Sequence, residues 1–358
     1  TAPMVAQADA TLYGSFRMSL MQADGADLDL RDEATRIGIK GDVDLGLEGT
    51  KGLFLWEAGV NTVDGVDGAT DSLKNRLAYI GATGEWGTAL VGKQYHPYYT
   101  MVNSHTNIFQ GATGDHGEAF ALGNKHHKRA NNTLAYASPV MAGFQVVGGL
   151  VIASDGSDTN NNFDDDVDGY NIGAQFTGVE GLRVSASYGK VDTDVSATTT
   201  NAFVGGIYTP VTVMKAGAYE SEIWGLGATY KIADLTLSAK YEEREDSLTT
   251  TAGTESNDFT VWEVAGVYQM NNTAFKARYG NIELKSGGDK VDGDQWALEV
   301  EQKLGSRGYL WVGYTDFDTG AAEAAGLQQG KFKVNATGVV DEVAISKDLW
   351  QIGYRLDF

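Results

Sequence analysis

The sequence predicts an all-β protein, a 16-stranded antiparallel transmembrane β-barrel, and three observations carry this prediction. The last nine residues alternate apolar and polar side chains, which a strand places on opposite faces. The same alternation recurs along nearly the whole chain, with almost no helical stretch to cover the apolar side. A closed barrel pairs all its backbone groups within a bilayer, so an apolar outside and a polar inside suit it.

Composition narrows the class of protein further. The chain has 358 residues, 46 Gly, 4 Pro and no Cys, which suits many strands and tight turns and excludes a disulfide scaffold and thiol catalysis. No apolar run reaches the roughly 18 residues that a membrane-spanning helix needs. The net charge of −21 argues against nucleic acid as a partner, because phosphate contacts need a basic surface.

The sequence predicts a single barrel domain over residues 9–358, because even a large barrel is one closed sheet. Residues 1–8 end in Ala6-Gln7-Ala8, and this small-x-small triplet resembles a signal-peptidase site. Residues 1–8 are therefore either the remnant of a secretory signal or a flexible N-terminus. Acidic residues cluster at 155–168 and 242–258, and we expect both stretches to be loops.

The first five predicted strands cover about 10–20, 35–46, 52–62, 74–83 and 87–95. Each places apolar residues on one parity, which we assign to the outside, and polar residues on the other. The outward rows include Leu12, Phe16, Met18, Leu20, Ile37, Ile39, Phe54, Trp56, Val60, Leu77 and Tyr79. The charged residues on the inward rows are Arg17, Arg36, Lys40, Glu57, Lys74 and Arg76.

Residues 96–128 interrupt the alternation, and it resumes at about 129–138 with Leu134 outward and Arg129 inward. Ten further strands bring the count to sixteen, and an even number places both termini on one side. Their apolar rows begin at Phe144, Tyr170, Leu182, Trp224, Leu235, Trp262, Phe275, Trp296, near residue 308 and at Trp350.

The predicted connections alternate between short turns and long polar loops. This asymmetry is typical of barrels in the bacterial outer membrane, where we therefore place the protein. Lipid and lipopolysaccharide are its expected surroundings, with Tyr and Trp near the strand ends at the two interfaces. The long connections are 21–34, 62–73, 96–128, 154–167, 191–220, 245–258, 285–293 and 319–347.

Several short motifs together resemble the general diffusion porins of Gram-negative bacteria, and the likeness spans the chain. It implies a sixteen-stranded barrel, usually a homotrimer, whose third loop folds into the lumen and narrows it. Residues 96–128 are that constriction loop by resemblance. The motifs, in chain order, are Leu12-Tyr-Gly14, Arg36-Ile-Gly-Ile-Lys-Gly41, Trp56-Glu57, Lys74-Asn-Arg-Leu-Ala-Tyr79, Gly92-Lys-Gln-Tyr95, Arg129-Ala-Asn-Asn-Thr-Leu-Ala-Tyr136 and the aromatic C-terminus.

The resemblance also implies a constriction with basic strand residues facing acidic loop residues. Arg36, Arg76 and Arg129 match the basic positions, and Arg17 is a fourth member that lies two residues beyond the commoner position, here Ser15. The family's Pro-Glu-Phe-Gly-Gly-Asp loop tip is absent. The acidic side is therefore assigned to Asp115 and Glu118, with Glu57 as a further member, and this departure leaves the width and charge of the constriction open.

Other residue patterns give competing hypotheses. All five histidines (96, 105, 116, 126 and 127) lie in the interrupted stretch, but their spacing fits no standard zinc site. We expect His126 and His127, beside Lys128, to add titratable positive charge near the neck. The acidic run at Asp164, Asp166 and Asp168 lacks the Glu of a calcium-binding EF-hand loop. It is either an ordinary acidic loop or a looser Ca²⁺ or Mg²⁺ site that bridges lipopolysaccharide phosphates. We expect no other cofactor.

We therefore predict a passive, water-filled channel for small hydrophilic solutes and ions, filtered by size and charge, and not an enzyme. Opposed charges across a narrow wet gap in a low-dielectric wall create a transverse field that orients dipolar solutes. The alternative is a substrate-specific channel with a saturable binding site in the third loop. Its stacking surface would use Tyr95, Tyr98, Tyr99, Phe109 and Phe120.

Overall fold

The computed structural model shows a closed 16-stranded antiparallel barrel, as the sequence predicts. It describes residues 9–63, 73–111, 128–152, 167–195, 198–204, 207–214, 217–250, 253–286, 288–321, 332–334, 340–343 and 348–358. The strands of the main sheet are β1 Asp9–Ala23, β2 Asp29–Asp32, β3 Arg36–Leu47, β4 Thr50–Val60, β5 Leu73–Gly84, β6 Gly87–Tyr95, β7 Arg129–Ala137, β8 Phe144–Ile152, β9 Val167–Phe176, β10 Leu182–Val195, β13 Gly217–Ile232, β14 Leu235–Thr250, β15 Gly253–Met270, β16 Thr273–Ser286, β17 Asp289–Leu304, β18 Gly308–Phe317 and β21 Asp348–Asp357.

Two small hairpins and one helical segment complete the described elements. The hairpins pair β11 Thr198–Val204 with β12 Ile207–Met214, and β19 Phe332–Val334 with β20 Val340–Val343. After β6 the chain forms helix α1, Pro97–Met101, and a 3-10 turn, Asn103–His105. Within the part of the chain that the structure describes, no helix is long and apolar enough to cross a membrane. Residues 1–8 lie outside it.

Strand β1 closes the barrel by pairing with both ends of the sheet. Its first half, from Asp9 to Ser15, pairs with β3, and its second half, from Ser15 to Ala23, pairs with β21. The short strand β2 pairs with Met18–Met21 of β1, on the same side as β3. It therefore continues the line of β3 and adds no further strand to the circumference.

Large apolar side chains cover the outer face of the barrel. Aromatic pairs form across neighbouring strands there, as between Trp224 and Tyr241, whose ring centroids lie 5.5 Å apart. Trp224 also donates a hydrogen bond to Glu243 at 3.1 Å. An indole that packs on an aromatic ring and donates its N–H to a carboxylate suits the boundary between lipid and water.

The acidic stretch 242–258 is not a loop, which corrects that expectation. Its described residues, 242–250 and 253–258, belong to β14 and β15, which run for 16 and 18 residues. Glu242 and Asp246 lie buried on the polar face, where Lys240 and Arg244 bind them at 2.5 and 2.9 Å. These paired charges allow a strongly acidic stretch to remain a strand.

A β-bulge in β5 corrects the predicted orientation of two side chains. The register between β4 and β5 shifts next to Arg76, so that Glu57 lies opposite Leu77 while Ala58 lies opposite Asn75. Leu77 is consequently buried on the polar face, and Ile80 is 68% exposed on the outer face. The extra residue reverses the parity that simple alternation predicts for Leu77 and Tyr79.

Candidate functional site: a basic wall and the segment facing it

The four predicted arginines lie together on the polar side of the first strands. Arg17 lies close enough to Arg36 and Arg76 for their charges to interact, and Arg129 is similarly close to Arg76. Arg355 of β21 also approaches Arg17. The strands that supply these residues, β1, β3, β5 and β7, lie within one run of consecutively paired strands, with β4 and β6 between them, so alternation brings the arginines onto one stretch of wall.

Glu57 lies within this basic group. Its carboxylate binds Arg76 Nε at 2.7 Å and accepts a hydrogen bond from Tyr13 at 3.0 Å. Arg36 and Arg129 form no ion pair with any residue that the structure describes. Glu57 on Arg76 and Asp357 on Arg355 therefore leave Arg36 and Arg129 without an ion-pair partner among the described residues.

The segment 96–111 lies against the polar face of the other strands. Its polar side chains and backbone bind three buried carboxylates, which β14, β15 and β17 supply. The pairs are Asn103 Nδ2 with Glu242 at 2.6 Å, Thr106 Oγ1 with Glu263 at 2.6 Å, and the Gln110 backbone N–H with Glu299 at 2.9 Å. Farther along, the backbone carbonyl of Gln110 accepts a hydrogen bond from Gln351 of β21 at 3.0 Å.

Lysine and arginine side chains neutralise the carboxylates that hold this segment. Lys240 contacts both Glu242 and Glu263, at 2.5 and 3.1 Å, and Arg278 contacts Glu263 at 3.3 Å. Lys276 binds Glu299 at 2.8 Å. All these side chains are buried, and a buried charge is tolerated when partners of the opposite sign bind it.

Glycines on the polar face of β13 provide the room for this packing. A Cβ atom on Gly227 would lie 2.2 Å from Cδ2 of His105, and one on Gly225 would lie 2.4 Å from the hydroxyl of Tyr98. Both distances are shorter than carbon contacts allow. The segment consequently approaches the strand backbone where side chains are missing.

His105 is held as a neutral imidazole. The hydroxyl of Ser185 donates a hydrogen bond to the carbonyl of Met101. Its oxygen therefore accepts the hydrogen bond from Nε2–H of His105, at 2.7 Å. Nδ1 then accepts from the hydroxyl of Thr229 at 2.7 Å. Burial lowers the pKa of His105 to about 4, and the charge of Arg183 acts in the same direction. This histidine therefore adds no positive charge at neutral pH.

Several predicted site residues lie outside the described part of the chain. They are Asp115, Glu118, Phe120, His116, His126, His127, Asp164 and Asp166. Asp168 is described and lies at the start of β9. In the described ranges, no three His, Asp or Glu side chains group together as a metal site would require.

Sequence reasoning missed two sets of residues. Arg355 was on the polar parity of the last strand, so alternation alone could have added it to the basic group. The anchors Asn103, Thr106 and Gln110 gave no such signal, because their segment has no period and their partners lie more than one hundred residues away.

A model of one protein family matches residues 1–322, and its description is Gram-negative porin. The chain belongs to the Gram-negative porin family. It is similar to outer membrane protein U of Vibrio parahaemolyticus, with 24% identity over 317 residues that cover 86% of this chain and 79% of that protein.

Solved porin structures share the fold. The trimer form of OmpT of Vibrio cholerae has 17% identity and a TM-score of 0.72, with 98% of this chain and 99% of that chain covered. An anion-selective porin from Comamonas acidovorans has 17% identity and a TM-score of 0.72, covering 98% and 100%. The porin described here is accordingly a passive channel of the bacterial outer membrane, and the family points to a channel rather than an enzyme.

Proposed function

We propose that this porin filters small hydrophilic solutes and ions at a constriction between the basic wall and the segment 96–111. The observation that carries the proposal is the division of the polar face into two parts. The segment contacts strands from β8 to β17 and reaches β21, whereas Arg36, Arg76 and Arg129 lie on β3, β5 and β7. A wet opening between these parts would have fixed cations on one side.

Charge at this opening would act without tight binding. Arginine stays protonated at any relevant pH, and its field in a low-dielectric wall orients dipolar solutes as they pass. Asp115 and Glu118 remain the predicted acidic counterpart. Glu57 lies beside Arg76 rather than across from it, so its main effect would be to reduce the positive charge of the wall.

The proposal includes passive diffusion with no catalytic step and no cofactor. It also includes a homotrimer, which the trimer form of the similar OmpT supports for the fold. Lipid and lipopolysaccharide would surround the outer face. A divalent cation among the outer loops, near Asp164, Asp166 and Asp168, stays a prediction.

The aromatic surface needed by the substrate-specific alternative is largely used in packing. Tyr98 and Phe109 are 0% and 8% exposed. Tyr95 and Tyr99 stack on each other, with ring centroids 5.4 Å apart. Two of the predicted stacking residues are therefore not accessible to a sugar or an aromatic acid, and the general channel is the better supported function.

Planar-bilayer recording in a salt gradient tests the proposed filter. We expect Arg36→Glu with Arg76→Glu to shift the reversal potential toward cation preference, because the wall changes by four unit charges in total. Lys231→Glu with Lys303→Glu, at exposed ends of β13 and β17, makes the same change of charge away from this wall and should shift the reversal potential much less. Equal shifts in the two double variants, or none in either, would contradict the proposed constriction.

A further inference from the structure

An open recess of about 540 Å³ lies beside the basic wall. Its size is in the range of small-molecule sites, which are roughly 300–1,000 Å³. Asp32 is the one carboxylate among its described lining residues. The lining side chains that matter here are Lys74, Asn75, Arg76, Lys93, Lys128 and Arg129.

The positive charges of this recess are mostly unneutralised. Arg76 is paired with Glu57 at 2.7 Å. The Asp32 carboxylate accepts the backbone N–H of Thr35 at 3.0 Å, as an acidic residue does in a turn. Among the described residues, neither Lys74, Lys93 nor Arg129 forms an ion pair. Three cations that form no ion pair with the described residues therefore share a recess whose described lining has one carboxylate, Asp32.

Cations held close together in a low-dielectric wall repel one another, and an anion that enters relieves this repulsion. The attraction grows with the charge of the anion, so a divalent or trivalent oxyanion gains more than chloride does. Lysine ammonium groups and the arginine fork also donate charge-assisted hydrogen bonds to phosphate oxygens. Asn75 adds a neutral donor at the same recess.

We propose that this recess is a saturable binding site for small polyvalent oxyanions of the phosphate and diphosphate class. The inference rests on the proposed function, since the anion must reach the recess through the water-filled channel. These oxyanions would be a class of solute that binds briefly inside the channel, whereas other small solutes only pass through it.

Single-channel recording with diphosphate as the probe tests the site. In KCl, we expect added diphosphate to reduce the wild-type current in a concentration-dependent way that saturates, and the block should weaken as KCl is raised because salt screens the charges. In Lys74→Gln with Lys93→Gln, the half-blocking concentration should rise by about tenfold or more, as expected when charge-assisted contacts are lost.

Two lysines outside the recess provide the matched control. Lys231→Gln with Lys303→Gln removes the same charge, and its block by diphosphate should stay within about twofold of wild type. Each reading comes from an inserted, conducting channel, so a variant that fails to fold cannot imitate the result. Absence of saturable block in the wild type, or an equal loss in both double variants, would overturn the inference. A chain that forms no conducting channel in KCl would instead refute the proposed function.

Discussion

At the scale of single residues, His105 shows how a titratable group can be made part of a rigid contact. Both ring nitrogens have hydrogen-bond partners, and both partners belong to strands of the barrel wall, at Ser185 and Thr229. A second proton on the ring would meet the hydroxyl of Thr229, which already donates to it. It would also add a cation near Arg183. The contact therefore requires the neutral form.

This requirement predicts a pH-dependent attachment of the segment 96–111. The pKa of His105 is about 4 in the docked segment and would return toward 6.5 on release. Between these values the released form binds the extra proton, so docking weakens as pH falls from about 6.5 to 4. The loss amounts to at most about 3 kcal/mol. Hydrogen exchange of residues 96–111, corrected for the intrinsic pH dependence, should show less protection at pH 4.5 than at pH 7.

His105→Gln supplies the control for this prediction. Glutamine can keep one or both polar contacts but does not titrate in this range, so the variant should lose most of the pH dependence. The same change of protection in the variant and the wild type would assign the effect to another group, such as the buried His96.

At the scale of elements, four carboxylates, three of them buried, connect the segment to the strands. Glu263 on β15 has the largest number of contacts. It accepts hydrogen bonds from Thr106 at 2.6 Å and from Gln295 at 2.7 Å, and it lies within ion-pair distance of Lys240 and Arg278. One side chain thus joins the segment to strands β14, β16 and β17. The other three carboxylates are Glu242, Glu299 and Glu301.

We expect Glu263→Gln to destabilise the barrel and to loosen the segment. The substitution leaves buried cations with one fewer anion, and breaking buried pairs in this way costs about 3–5 kcal/mol. Urea unfolding in detergent micelles, followed by tryptophan fluorescence, measures the loss of stability. Limited proteolysis within residues 96–128 should become faster as Thr106 loses its charged acceptor.

Glu243→Gln is the matched control, because it removes the same charge from the neighbouring strand. Glu243 lies on the outer face, where Trp224 and Tyr241 bind it. Its loss should lower the free energy of unfolding by less than about 1 kcal/mol and leave the proteolysis unchanged. If the two variants behave alike, the carboxylates do not hold the segment.

The strands themselves were predictable wherever alternation runs without interruption, as in β16 and β17. The predicted side-chain orientation was wrong where a β-bulge adds one residue to a strand. The predicted loop was wrong where a run of acidic residues was taken as a sign of a loop. The bulge beside Arg76 reverses the orientation of Leu77, and no feature of residues 74–79 alone indicates it. The acidic stretch 242–258 contributes to strands β14 and β15, and its buried carboxylates Glu242 and Asp246 pair with Lys240 and Arg244 of β14 itself.

The grouping of the arginines was predictable and the contacts of the segment 96–111 were not, for a physical reason. The arginines lie on the inward parity of strands that pair in chain order, so local pattern and resemblance place them together. The anchors of the segment 96–111 depend on pairs such as Thr106 with Glu263, which are 157 residues apart. A sequence reveals that this segment is not a strand, but not which strands it will contact.

At the scale of the whole molecule, the pairing of β1 with β21 closes the sheet, and a contact between Gly14 and Phe358 lies at one end of this pairing. The backbone of Gly14 exchanges two hydrogen bonds with Phe358, both at 3.1 Å. The ring of Phe358 also stacks on Phe16, with centroids 5.9 Å apart. A Cβ atom on Gly14 would lie 2.2 Å from that ring, so the ring occupies the space that glycine leaves. The ring of Phe358 therefore packs against β1 where the glycine has no side chain.

Gly14→Val should weaken this junction, because the new side chain must displace the Phe358 ring. Overpacking of this kind costs about 1–3 kcal/mol. It should lower the temperature at which the barrel loses its folded mobility in an SDS gel. Adding Phe358→Ala removes the clash, so the double variant should be more stable than the sum of the single changes predicts.

Gly266→Val, where the nearest atom to a Cβ is 3.6 Å away, controls for loss of a strand glycine. Strict additivity at the junction, or an equal effect of Gly266→Val, would show that closure does not depend on this contact.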